Sequence, residues 1–278
     1  MSAFVRPIVG RKSWLGLLAA GLGLAVGLGQ TIDTVLSTGL LEPYSVAVDR
    51  NNYLITDSAQ NVIIKLSSDT GITTNFVGFA SFERGTNDGY GTFARFHKPR
   101  GLLVVPWETN LIVADTGNQR LRRVGLSGAD NGKVETITIL NTSAENRFLS
   151  PVALALDNRT NDIRLYVADE QTRSVYRVIL TNRTEAIVTR LSTNFFRPRA
   201  VAVDDSGRIF VADTGNNCIK VIDVSKPGNP VNIIAGSGTP EGFGFKDSPD
   251  GKQALFDSPV SLLWVGGNLG LLVGDERN

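Results

Sequence analysis

In 278 residues the chain has one cysteine, Cys218, and one histidine, His97. A single thiol excludes an intramolecular disulfide. One imidazole beside it is too little for a zinc centre, which draws most of its donors from those two residue types. Nucleophilic catalysis is poorly served too, because no G-x-S-x-G elbow occurs and no serine or cysteine is paired with His97 by motif. An excess of one charge is also missing, with 28 basic residues against 27 acidic ones. A general affinity for nucleic acid or anionic membrane is therefore not expected. The glycine runs at Gly85-Thr-Asn-Asp-Gly and Gly236-Ser-Gly lead into no helix and read as turns, not phosphate loops.

Acidic residues are absent before Asp33, and Arg6, Arg11 and Lys12 make a basic start. Trp14 to Gly29 follows without charge and ends in the small-x-small pattern Gly27-Leu28-Gly29. As a helix this stretch would rise about 24 Å, short of a bilayer core of about 30 Å. Residues 1–29 read as a cleaved secretory signal, which would make the mature protein extracellular. An uncleaved membrane anchor over residues 14–29 and an organellar presequence are the alternatives. Loss of this segment would leave 25 basic and 27 acidic residues.

What the rest of the chain has is repetition. Five segments share a proline, a short apolar strand, a polar turn and a second strand ending in aspartate. They run from Pro43 to Asp57, Pro99 to Asp115, Pro151 to Asp169, Pro198 to Asp213 and Pro259 to Asp275. The first strands are apolar almost throughout, as strands buried on both faces are. The third strands, such as residues 120–124 and 218–222, alternate basic with apolar side chains, which predicts one packed and one solvated face. A weaker outer strand completes each unit. Four strands repeated at about 50-residue intervals predict an all-β propeller built of four-stranded blades. Four blades are complete. The fifth, begun at Pro259, has only its first two strands, so the chain reads as an incomplete six-bladed ring. Residues 30–39 look like a lone outer strand that would close it.

The phrases Ala114-Asp115-Thr116-Gly117-Asn118 and Ala212-Asp213-Thr214-Gly215-Asn216, each leading into a basic and apolar strand, resemble NHL repeats. So do the linkers from Gly85 to Pro99 and from Asp247 to Pro259. The resemblance covers residues 30 to 278. It implies a propeller fold and, by itself, no single function. Enzymes with similar propellers hold zinc on several histidines or a divalent cation on channel carboxylates. Here the predicted channel mouth carries Tyr44, Arg100, Val152, Arg199 and Val260, without a carboxylate, so no cofactor, metal or catalytic residue is expected.

The recurring Asp57, Asp115, Asp169, Asp213 and Asp275 read as turn residues, accepting hydrogen bonds from their own turns while Gly or Asn takes the left-handed backbone. Tyr44, Arg100 and Arg199 form the candidate ligand-binding rim. Asn141, Asn158 and Asn182 stand in glycosylation acceptor sequences. The expected function is a non-catalytic scaffold for a protein, peptide or glycan. A lactonase-like hydrolase or lyase with channel residues in further blades is the alternative.

Overall fold

The computed structural model describes residues 5–7, 39–79, 82–160, 162–267 and 270–278. Among these the helical segments are three-residue 3-10 turns, and the strands make five separate sheets. Each sheet is a propeller-type blade whose own consecutive strands pair antiparallel as neighbours. Blade 1 runs Pro43–Asp49, Asn52–Asp57, Val62–Ser67 and Thr73–Val77. Blade 2 runs Pro99–Val105, Asn110–Asp115, Arg120–Gly125 and Lys133–Thr136, with Gly89–Tyr90 added at its outer edge. Blade 3 runs Pro151–Asp157, Arg164–Asp169, Ser174–Leu180 and Glu185–Ser192, and Thr138–Ile139 lies parallel to its last strand. Blade 4 runs Pro198–Val203, Ile209–Asp213, Cys218–Ile222 and Val231–Gly236.

Blade 5 has Pro259–Gly266 and Gly270–Asp275. Its third member comes from the segment read as a leader: Val5–Pro7 pairs in parallel with Gly270–Asp275, Val5 opposite Leu271. The rest of that segment, and residues 30–38 of the expected closing strand, lie outside the described residues. No helix among the described residues is long and apolar enough to cross a membrane.

The chain divides into two compact units. Blades 1 and 2 make one of them, apart from residues 119–121 and Thr136, and blades 3 to 5 make the other. In the first unit, Leu54 and Ile63 of blade 1 share a core with Leu111, Val113 and the linker residue Phe96 of blade 2. In the second, Val152, Tyr166 and Val175 of blade 3 meet Val201 and Val211 of blade 4. Phe210 and Ile219 of blade 4 then meet Leu271 and Val273 of blade 5, and the Phe210 ring stacks on Trp264 at 5.7 Å. Each such side chain contributes roughly 1.5–3 kcal/mol on leaving water, and it does so only against the neighbouring blade.

Two expectations about burial are corrected. The first strands are only partly buried, while the second strands are buried nearly end to end. A second strand has a hydrogen-bonded neighbour on both sides, whereas a first strand is a sheet edge. The third strands do not turn their basic residues to water: Arg122 is fully buried, and Arg123 and Lys220 nearly so. Burial on this scale requires paired charges: strand-end aspartates supply them for Arg122 and Lys220, and Glu135 of the outer strand supplies one for Arg123.

Candidate functional site

Each blade opens on a proline that pairs directly with the strand-end aspartate: Pro43 with Asp57, Pro99 with Asp115, Pro151 with Asp169, Pro198 with Asp213 and Pro259 with Asp275. Proline brings no N–H to the ladder. The carboxylate instead takes the N–H of the residue two places before it, which is Leu41, His97, Leu149, Phe196 or Asp257. A backbone bond runs the other way beside it, as from Gly117 N–H to His97 O at 2.7 Å and from Gly215 N–H to Phe196 O at 2.8 Å. The end of one strand and the entry of another are thus clamped together. His97 is half-buried in this clamp, not exposed.

The carboxylates are otherwise filled by their own turns. Asp169 accepts from the N–H groups of Gln171 and Thr172, and Asp57 from Gln60 N–H and Nε2. Asn118 and Asn216 donate to Asp115 and Asp213. Burial pushes the Asp115 carboxyl up against the pull of Asn118, the His97 N–H and Arg122. Burial first, then repulsion by Asp257, also raises Asp275.

The third strand supplies the buried cations. Arg122 donates from Nη1 to Asp115 at 3.0 Å and to Arg95 O, and from Nη2 to Asp88 at 2.7 Å and to Asn87 O. In blade 4, Lys220 Nζ lies 2.6 Å from Asp213 and donates to Asn194 O at 2.8 Å. Tyr176 is the corresponding residue of blade 3, and its hydroxyl reaches Arg147 O. In all three blades the carbonyl reached belongs to the residue four places before the proline.

The left-handed positions differ from those expected. Gly117 and Gly215 are not among the residues with positive φ, whereas Asn61, Gln119, Arg173 and Asn217, each four residues after the aspartate, are. The glycines are needed for space. A Cβ on Gly117 would stand 2.5 Å from the His97 ring, and one on Gly215 would stand 2.6 Å from Phe196 O. The left-handed asparagines act between blades. Asn61 accepts from Lys98 N–H and Asn217 from Ser258 N–H, and Ser58 and Thr214 donate to the carbonyls of Pro99 and Pro259.

The rim residues all sit one place after the proline, where every blade has a register shift that inserts one extra residue in the first strand. Such a bulge re-aims its side chain. Within the unit of blades 1 and 2 the structure brings Arg100 over the Tyr44 ring, 5.0 Å from its centroid. Val152 is fully buried in the core and lines no mouth. Arg199, in the other unit, stands between two carboxylates, Glu170 of blade 3 and Glu276 of blade 5, each at 3.5 Å. Glu170 also pairs with Arg197 at 3.0 Å. These four residues make a strip of two guanidinium and two carboxylate groups across three blades. The glutamates directly follow the strand-end aspartates, where blades 1, 2 and 4 have Ser58, Thr116 and Thr214. That departure from the repeat was the sequence signal for them.

Of the acceptor asparagines, Asn158 and Asn182 are exposed. Asn141 is tied on both sides of its amide, donating to Val188 O and accepting from Val188 N–H, so it is not free to carry a glycan without breaking a strand-like pairing. Among the described residues no group of three or more His, Cys, Asp or Glu could hold a metal ion.

Comparison with known proteins agrees with this architecture. The NHL repeat model matches residues 195–222. Protein SUPPRESSOR OF QUENCHING 1, chloroplastic, from Arabidopsis thaliana is 27% identical over 214 residues, covering 67% of this chain and 20% of the relative. The chain thus spans about a fifth of the length of that curated relative. An auxiliary nutrient binding protein from Bacteroides thetaiotaomicron superposes with a TM-score of 0.63 at 14% identity, over 87% of this chain and 58% of the other. A putative gluconolactonase superposes at 0.54 and 17% identity, over 82% and 70%. These two structures support the fold alone. The NHL repeat is thus matched over blade 4, its proline–aspartate clamp recurs in all five blades, and the blades are arranged as in β-propellers.

Proposed function

We propose that the chain is a binding scaffold without chemistry of its own, which takes a protein, peptide or glycan on the face where the linkers and strand-end turns gather. What carries the reading is the Arg197–Glu170–Arg199–Glu276 strip. It is held on rigid strand ends, its side chains are partly exposed, and it offers donors and acceptors in alternation. Rigid scaffolds that present loop-built faces suit recognition. All five strand-end aspartates accept backbone N–H groups and so serve the blade joints. A structural neighbour named as a nutrient binding protein is in keeping with this reading.

The test uses the purified chain against immobilised peptide and glycan panels, with metal analysis and δ-gluconolactone hydrolysis run beside it. Saturable binding to a panel member that is lost in Arg199→Ala and in Glu170→Ala, with no lactone turnover, is the expected result. Chelator-sensitive lactone turnover with stoichiometric divalent metal would overturn it.

A further inference from the structure

A cleft of about 520 Å³ opens on blade 4, away from the strip and independent of the reading just given. Its wall includes Lys220, Lys252, Asn194, Asn232, Ser237 and Ile233, and no carboxylate. Lys220 reaches it through the sheet: the pairing of Cys218–Ile222 with Val231–Gly236 shifts register between Ile219 and Lys220. Lys252 comes from the 3-10 turn Gly251–Gln253 of the next linker and is exposed.

The repeat shows what is unusual here. Residues seven places after the strand-end aspartate are Ile64, Arg122, Tyr176 and Lys220. Arg122 is neutralised by two carboxylates, one from its strand end and one, Asp88, from its linker. Lys220 has only Asp213, because the linker residues 193–197 contain no acid. An ammonium has three N–H groups. Two go to Asp213 and to Asn194 O, and beside the third stands the Phe195 ring, 5.6 Å away.

We propose that this cleft binds a small organic anion bearing hydroxyl groups, such as a sugar phosphate or sugar acid. Lys220 and Lys252 meet the anionic group, and the carboxamide of Asn232 meets hydroxyls. The volume lies in the range of small-ligand pockets, and the wall carries two lysines and no carboxylate. The buried lysine is held in place by the strand-end clamp, so its donor geometry costs little to organise on binding.

Titration calorimetry on the full chain with glucose 6-phosphate, glucuronate and glucose tests this. Lys252→Glu and Asn232→Asp change exposed side chains and add negative charge at the wall. The expected result is saturable binding of at least one of the two anions, weakened about tenfold or more in both variants, with no binding of glucose. Phosphate and carboxylate ligands are told apart by which anion binds. Absence of saturable binding up to about 20 mM, a scale where affinity has fallen below any useful binding energy, would overturn the proposal. So would glucose binding as well as the anions, or affinities unchanged in both variants whose thermal melts match the parent.

Discussion

The joint between blades 4 and 5 rests on Asn217, and its cost can be measured at the next residue. Asn217 is buried, holds a left-handed backbone at φ 50°, accepts from Ser258 N–H at 3.1 Å and donates to Pro240 O at 2.9 Å. Replacement by alanine removes two hydrogen bonds, each worth about 1 kcal/mol net, and leaves the Ser258 N–H unsatisfied for about another 1 kcal/mol. Alanine also bears a left-handed penalty of about 1 kcal/mol. The total is about 4 kcal/mol for Asn217→Ala and about 3 kcal/mol for Asn217→Gly, where the left-handed penalty is absent and extra chain entropy is regained in the unfolded state. Cys218 reports the opening. It is the only thiol in the chain, it is buried, and burial followed by the nearby Asp213 charge pushes it up to about 12. It therefore reacts with a thiol reagent only after blade 4 opens. At pH 8 the labelling rate of Asn217→Gly should exceed that of the parent by about a hundredfold, and that of Asn217→Ala by several-fold more, at 1.4 kcal/mol per factor of ten. Equal rates for the two variants would refute the left-handed contribution. Rates within about threefold of the parent for both would refute the joint itself.

Three further outcomes follow from the same geometry. Arg122→Met leaves Asp115 buried and unpaired and should cost about 3–5 kcal/mol in urea unfolding, whereas Arg122→Met with Asp115→Asn should recover much of that loss. Gly215→Ala, whose Cβ would stand 2.6 Å from Phe196 O, should break the clamp of blade 4 and lower Tm by roughly 4–8 °C for a cost of about 2 kcal/mol; an unchanged Tm would refute the space argument. Burial raises the Asp157 and Asp204 carboxyls, but hydrogen bonds from Arg159 to the first and from Ser206 and Arg208 to the second outweigh it, so both end below the ordinary value. Their contribution is present above the unfolded carboxylate pKa of about 3.9 and is lost as pH falls through the folded values. Asp157→Asn should accordingly flatten the acid limb of the stability profile below about pH 4.

The blades were legible because the repeat keeps its proline, its aspartate and the apolar strands between them in constant order. The clamp itself was only half legible. The aspartates read as hydrogen-bond acceptors, yet a main partner in each case is an N–H two residues before a proline some 14 to 18 positions away. Strand alternation pointed the wrong way for Arg122 and Lys220, because periodicity counts a basic residue as solvated and cannot see a buried carboxylate across the sheet. Glu170 and Glu276 were passed over for another reason. The repeat places the rim residues directly after each proline, while the partners of Arg199 follow the aspartates of the blades on either side. The register shifts at the blade openings leave no mark in composition at all.

Those shifts bear on how the face can vary. In an unbroken strand a side chain is committed to one side of the sheet, and a change there disturbs what lies beneath it. An inserted residue belongs to neither alternating set. Tyr44, Arg100, Arg199 and Val260 already span aromatic, cationic and aliphatic character on one backbone geometry. Blades 1, 2, 4 and 5 therefore each carry one position where recognition can be rewritten while the packing of the sheet is inherited unchanged; in blade 3 the position is taken up by the core through Val152.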